Sequence, residues 1–186
     1  MTRPATSSGG ATGLGAIAWF TGLPSSGKTT LARRAQARLA AAGRTAVVLD
    51  SDALRDVLGS HAYEPADRDA FYRALAALAG LLARQGLVVL VAATAPQREH
   101  RDRARAELGA RFVEVWVDTP LADCEARDPK GLYARARRGE APDLPGVGVP
   151  YEPPEAPEVT AHGGLDDTGA AAVAAAIERR LARAAT

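Results

Sequence analysis

The stretch GAIAWFTGLPSSGKTTLARRAQARLAAA (15–42) decides the fold. It opens with a short apolar run, GAIAWF (15–20), that gives way to glycine, proline and serine and reads as a buried strand. It closes with KTTLARRAQARLAAA (28–42), where Leu31, Ala35 and Leu39 recur at helical spacing and Gly43 supplies the stop. Between the two, GLPSSGKT (22–29) fits the pattern G-x-x-x-x-G-K-[ST]. The glycines let the backbone wrap closely round phosphates, so that successive N–H groups and the helix N-terminus point at the anion. Lys28 then supplies a compact charge for the β- and γ-phosphates, and Thr29 a hydroxyl for Mg²⁺. The alternative is a glycine-rich turn that only happens to precede a helix. The strand before it and the helix after it argue for the phosphate-binding reading.

Outward from this unit the same alternation continues. TAVVLD (45–50) reads as a second buried strand, followed by a short helix near 52–58. ADRDAFYRALAALAGLLARQ (66–85) is a long amphipathic helix with Phe71, Leu75, Leu78 and Leu82 on one side, closed by Gly86. LVVLVAA (87–93) is a third strand, 97–108 a charged helix, FVEVWVD (112–118) a fourth strand, and 120–127 and 130–138 short helices. Residues 141–158 are rich in proline and glycine and read as an ordered loop or lid. An Ala/Arg helix runs from Asp167. This order predicts an α/β domain of P-loop kinase type, a mostly parallel sheet with helices on both faces and a basic lid segment. It occupies 15–186 as one domain, after a small, polar, disordered tail at 1–14. Such sheets bind ligands at the carboxyl ends of their strands, here after Phe20, Leu49 and Ala93.

Composition narrows the function classes. The chain of 186 residues has a formal net charge of +1, so no global field favours nucleic acid or an anionic membrane surface. No apolar run is long enough to span a bilayer. The single cysteine, Cys124, rules out an internal disulfide and fits a cytoplasmic protein. Arginine is used almost everywhere; the two lysines are Lys28 and Lys130, which raises the question of why arginine would not serve at those places. There is no asparagine, so the guanine-reading Asn-Lys-x-Asp element of GTPases is absent.

LDSDALR (49–55) puts two carboxylates at the end of the second strand. Phosphoryl transfer is mostly positioning and charge neutralisation. An acid opposite the P-loop holds Mg²⁺ through water or accepts the proton of the attacking hydroxyl. Asp52 is the expected catalytic group beside Lys28, with Asp50 in support and, like Thr29, near the metal. The alternative for Asp52 is a helix cap. Arg55, Arg68 and Arg73 lie where an acceptor would sit and carry forks matched to phosphate or sulfate oxygens, although Arg73 reads better as exposed. The basic segment RDPKGLYARARRGE (127–140) reads either as a cover over the nucleotide or as a solvated helix. His61, His100 and His162 lack metal-ligand spacing and are expected at the surface. Ser25 and Ser26 have no His/Asp partner in evidence, so serine nucleophile chemistry is unsupported.

Taken together, GLPSSGKTTLA, LDSDALR, ADRD, FVEVWVDTPLADCEARDPKGLYARARRGE and PYEPPEAPE resemble the adenylyl-sulfate (APS) kinase family over roughly Ala18 to Glu158. The resemblance implies a P-loop domain with a mobile lid. It also implies transfer of the ATP γ-phosphate to the 3′-hydroxyl of adenosine 5′-phosphosulfate with Mg²⁺. By position, Gly22, Leu23, Pro24, Ser25, Ser26, Gly27, Lys28, Thr29 and Thr30 would hold ATP phosphates. Asp52 and Arg55 would belong to the acceptor site, Arg68 would match its "DR" arginine, and Lys130 a lysine lining it. Relatives of this kind are often dimers, so a homodimer is the corresponding expectation.

The departures fall mostly on the adenosine side. Ser51 stands between the two acids where the family has glycine. Tyr63 takes the place of one stacking phenylalanine and Leu144 of the other. Phe71 replaces an acceptor-site asparagine, and Thr94-Ala95-Pro96 replaces Ile-Ser-Pro. Three functions remain open on the sequence: an APS kinase, a kinase of the same build acting on another nucleotide-like or anionic metabolite, and a nucleotide-binding regulatory protein without catalysis. The intact Lys28, Thr29 and Asp52 count against the last.

Overall fold

A computed structural model describes residues 15–60 and 63–184. The expected tail at 1–14 and His61 lie outside the described residues. Five parallel strands, β1 (Ile17–Thr21), β2 (Ala46–Asp50), β3 (Val88–Ala92), β4 (Phe112–Val117) and β5 (Val159–Ala161), form one sheet in the order β2-β3-β1-β4-β5. The helices are α1 (Lys28–Ala41), α2 (Ser51–Leu58), α3 (Pro65–Arg84), α4 (Arg98–Leu108), α5 (Leu121–Arg127), α6 (Leu132–Arg137) and α7 (Asp167–Ala184). No helix among the described residues is long and apolar enough to cross a membrane.

β1 is central and wholly buried, and its alternation builds both cores. Ala18 and Phe20 face α1 and α7, where Leu31, Leu39, Val173 and Ile177 close the first core. Ile17 and Trp19 face the other way, onto Leu75, Ala79, Ala104 and Phe112 of the second. Successive strand side chains point to opposite faces, so a parallel strand covered on both sides must be apolar throughout. A third, small cluster of Cys124, Tyr133 and Leu144, with Leu23 and Val147 against it, joins the P-loop to the lid.

Several expectations change. β2 is an edge strand rather than a buried one. It pairs with β3 alone, and each of its five residues is half-buried. On α3 the buried stripe runs through Arg68, Phe71, Tyr72, Leu75, Ala76, Ala79, Gly80 and Ala83, leaving Leu78 half-exposed. Small residues carry that face because the helix lies close; a Cβ on Gly80 would stand 3.0 Å from Leu108. His100 is not at the surface: it is buried with its ring 4.8 Å from that of Tyr72. β5 went unseen in the sequence because three residues after a proline-rich run carry too little alternation.

The segment read as a lid over 141–158 divides in two. Its second half is fixed wall: Glu152 N–H donates to Pro96 O (2.8 Å), and Arg101 donates to Glu152 O (2.6 Å). Arg101 is 1 % exposed and pairs with buried Glu114 at 2.9 Å, while Arg105 bridges Glu114 and Glu158. Of the first half, 141–145 line the cavity as the lid, and an isolated Pro145–Val149 bridge follows.

Candidate active site

One large cavity, about 1580 Å³, opens across the carboxyl ends of the strands. A single drug-sized ligand fills roughly 300–1,000 Å³, so this space suits two substrates meeting. The P-loop lies along its floor. Gly27 precedes α1 with φ 98°, and a Cβ there would fall 2.5 Å from Gly164 N, so both conformation and clearance demand glycine. Pro24, Ser25, Gly27, Lys28, Thr29 and Thr30 line the cavity, whereas Gly22, Leu23 and Ser26 shape the loop from behind.

Lys28 folds onto its own loop, its Nζ donating to Gly22 O (3.0 Å) and Leu23 O (2.7 Å). Burial pushes its ammonium down to about 8, although the Asp52 charge, with a smaller pull from Asp50, acts the other way. An arginine, charged throughout this range, would not respond in this manner.

Asp50, not Asp52, caps α2. Its Oδ1 accepts from Asp52 N–H (2.9 Å) and Ala53 N–H (3.2 Å), and its Oδ2 accepts from the Thr29 hydroxyl (2.5 Å). Burial alone would raise the Asp50 pKa; the Thr29 and backbone hydrogen bonds and the Lys130 charge outweigh it, and the net shift is downward. Thr29 Oγ1 and the Asp50 carboxylate thus form a hard-oxygen pair at the mouth of the P-loop. The described residues hold no group of three or more His, Cys, Asp or Glu able to cage a metal. That donor set fits Mg²⁺, which is usually held by one or two protein oxygens, water and substrate phosphates.

With the cap role taken by Asp50, Asp52 is free to face the cavity. Its Oδ2 accepts from Lys130 Nζ at 2.7 Å, both side chains being more than half exposed (58 and 59 %). The pair joins α2 to the α5–α6 connection. The Asp52 hydrogen bond raises the Lys130 pKa.

Arg55 and Arg68 reach the cavity wall expected to hold the acceptor from α2 and α3. Arg55 is 4 % exposed and Arg68 is buried beside it. Arg68 Nε donates to Tyr63 O (2.7 Å) and Nη2 to Asp143 O (2.6 Å), clasping the lid to the start of α3. Tyr63 is 46 % exposed and Leu144 9 %; both line the cavity, as do Thr94 and Ser51. Two expected substrate contacts move. Phe71 lies behind the wall, its ring beneath the Arg55 guanidinium at 3.8 Å. Ala95 is fully buried at φ 39°, its N–H donating to Tyr72 Oη at 3.0 Å. Arg73 is exposed and pairs with Asp69.

Sequence reasoning missed the opposite end. Thr160, His162, Gly163, Gly164 and Leu165 line it; Arg127 and Arg135, from the basic segment that the sequence offered as a cover, also line the cavity. The signal was the Gly163–Gly164 pair: Gly164 has no room for a Cβ, which would stand 2.8 Å from Gly27 O.

The adenylylsulphate kinase family model matches residues 14–162. An adenylyl-sulfate kinase of Paraburkholderia xenovorans is 47 % identical over 146 residues, spanning 78 % of this chain and 82 % of that protein. One from Citrobacter koseri is 47 % identical over 147 residues, spanning 78 % and 73 %. The solved structure of the Mycobacterium tuberculosis APS kinase in complex with AMPPNP and APS superposes with a TM-score of 0.81 at 42 % identity, covering 88 % of this chain and 98 % of that one.

Proposed function

The chain belongs to the adenylyl-sulfate kinase family, and on that premise we propose that it transfers the γ-phosphate of ATP to the 3′-hydroxyl of adenosine 5′-phosphosulfate, giving 3′-phosphoadenylyl sulfate and ADP. The observation that carries this reading is the joining of a complete P-loop and the Asp52–Lys130 pair in one cavity sized for two nucleotides.

The P-loop backbone and Lys28 would hold the β- and γ-phosphates. Mg²⁺, held by Thr29 and Asp50 together with phosphate oxygens and water, would neutralise charge on the transferring group. Asp52 orients the acceptor hydroxyl and takes its proton as the oxygen bonds to the γ-phosphorus. The bond from that phosphorus to the β–γ bridging oxygen breaks, and the electron pair leaves with ADP. Arg55 and Lys130 meet the acceptor's anionic groups. A cytoplasmic location belongs to the same proposal and rests on the single cysteine.

A second reading, transfer to another anionic hydroxyl compound, is favoured by Leu144, which offers the acceptor no ring face. The test is ATP consumption by purified protein against APS, other nucleotides and hydroxylated metabolites. Turnover with APS, and with no other compound faster, supports the proposal. No turnover at millimolar APS overturns it, and faster turnover of another compound establishes the second reading.

A further inference from the structure

Arg55 is a cation removed almost wholly from water on the acceptor wall. A buried guanidinium is costly unless its charge and its donors are met. Its Nη1 donates to Ser60 O at 3.0 Å, and the guanidinium lies over two aromatic rings. The guanidinium carbon lies 3.8 Å from the centre of the Phe71 ring and 4.7 Å from that of Tyr63. The two rings are not equivalent. Tyr63 is nearly half exposed and also lies 5.4 Å from the Arg68 guanidinium, so its attraction is divided and screened. Phe71 is buried, closer, and itself braced. Its ring meets Tyr72 edge-on at 5.7 Å, and the Tyr72 hydroxyl accepts the N–H of Ala95, three residues beyond β3.

We propose that Phe71 is a positioning residue for the acceptor: its ring is the floor on which the Arg55 guanidinium rests, and it sets acceptor affinity without touching the acceptor. The turn after β3 thereby connects to the cavity through a chain of contacts, from Ala95 to Tyr72 to Phe71 to Arg55. Ring quadrupoles hold a cation over their faces, and the attraction strengthens where water is excluded. An arginine already fixed in one orientation loses less freedom when it meets an anion. Phe71 lies outside the cavity lining, so a change there reaches the acceptor through its lining neighbours, Arg55 under which it stacks and Tyr72 against its edge. The proposal rests on the reading that the acceptor is anionic APS.

The experiment pairs Phe71→Leu, which keeps apolar bulk and removes the ring, with Phe71→Tyr, which keeps the ring. In the substrate-free wild type, ring currents should move the Arg55 side-chain proton resonances upfield. The shift should vanish in Phe71→Leu and persist in Phe71→Tyr. Phe71→Leu should raise the KM for APS roughly tenfold while kcat and the KM for MgATP stay within about twofold of the wild type. In an Arg55→Lys background, Phe71→Leu should add little further loss. Equal losses in Phe71→Leu and Phe71→Tyr, an unchanged KM for APS, or a matching rise in the KM for MgATP would each overturn the proposal. Should Phe71→Leu fail to fold, wild-type Arg55 resonances at random-coil positions would overturn it, and upfield positions kept in Phe71→Tyr would support it. Upfield Arg55 resonances in a wild type that turns over no APS would sink the functional reading and leave the Phe71–Arg55 mount standing.

Discussion

At the P-loop end the cavity wall is backbone. Gly27 and Gly164 touch so closely that neither admits a Cβ, and the helix-capping Asp50 ties the loop to β2 through Thr29. At the proposed acceptor end the wall is side chains held largely by other side chains. Arg55 lies over two rings, Arg68 clasps two carbonyls, and Lys130 meets Asp52. Backbone geometry admits few residues at each place, so the first end leaves a fixed spacing in the sequence. Side-chain mounts admit substitutes, so the second can retune its ligand while the fold stays as it is. If this contrast is right, changes at the P-loop end should damage the chemical step itself, and changes at the acceptor end should mostly redistribute affinity.

The harshest test is Lys28→Ala. On the proposed reading its ammonium is the charge at the β/γ-phosphates, and loss of one such preorganised donor costs on the order of 10²–10³ in rate. We expect kcat to fall by about 10³-fold with an unchanged circular-dichroism spectrum and melting temperature. A variant retaining a tenth of the activity or more would mean that backbone N–H groups alone carry the phosphate end. Asp52→Ala stands at the border between the two ends. Loss of a positioned proton acceptor should lower kcat by about 10²-fold, with the KM for MgATP little changed. Near-normal single-turnover rates would remove Asp52 from the reaction and leave it as a surface partner of Lys130.

These two residues also show what was legible. Lys28 follows from a motif whose chemistry needs one residue at one spacing. The two carboxylates of LDSDALR were visible, but their division of labour was not. Asp50 and Asp52 both suit an N-cap, and only the fold shows that Asp50 accepts the α2 amides while Asp52 turns to Lys130. The sheet could be read because apolar runs alternate with helical ones, yet β2 at the edge looks like a central strand when neighbours are unknown. Phe71 was ambiguous for a related reason. Helical spacing put it on the apolar face of α3, and nothing local could say that Arg55 of another helix lies on top of it. The 162–166 loop escaped because Gly164 answers to a contact with Gly27, more than a hundred residues earlier.

A pH profile separates the ends more finely. Burial lowers the Lys28 pKa to about 8, so the free enzyme loses this charge as pH rises through that value. The kcat/KM for MgATP reports the free enzyme and should fall about tenfold per unit at higher pH. At saturating MgATP the bound phosphates hold the Lys28 proton, so kcat/KM for APS should stay flat over the same range. A flat MgATP profile up to pH 10 would show that Lys28 is better solvated than the fold implies.

The smallest expected effect probes the acceptor end alone. Leu144 lines the cavity yet packs with Cys124 and Tyr133 in the cluster that joins lid to P-loop. Leu144→Phe would put a ring where the cavity now offers only aliphatic contact. Aromatic stacking adds about 0.5–1.5 kcal/mol, so the KM for APS should drop by roughly two- to tenfold with kcat nearly constant. The same ring is larger than the side chain it replaces, and overpacking costs about 1–3 kcal/mol, so the melting temperature should fall. Affinity gained together with stability lost is the signature of a side chain serving both the acceptor and the lid. Stability lost with no gain in affinity would place position 144 wholly in the lid cluster and leave Tyr63 as the ring available to the acceptor base.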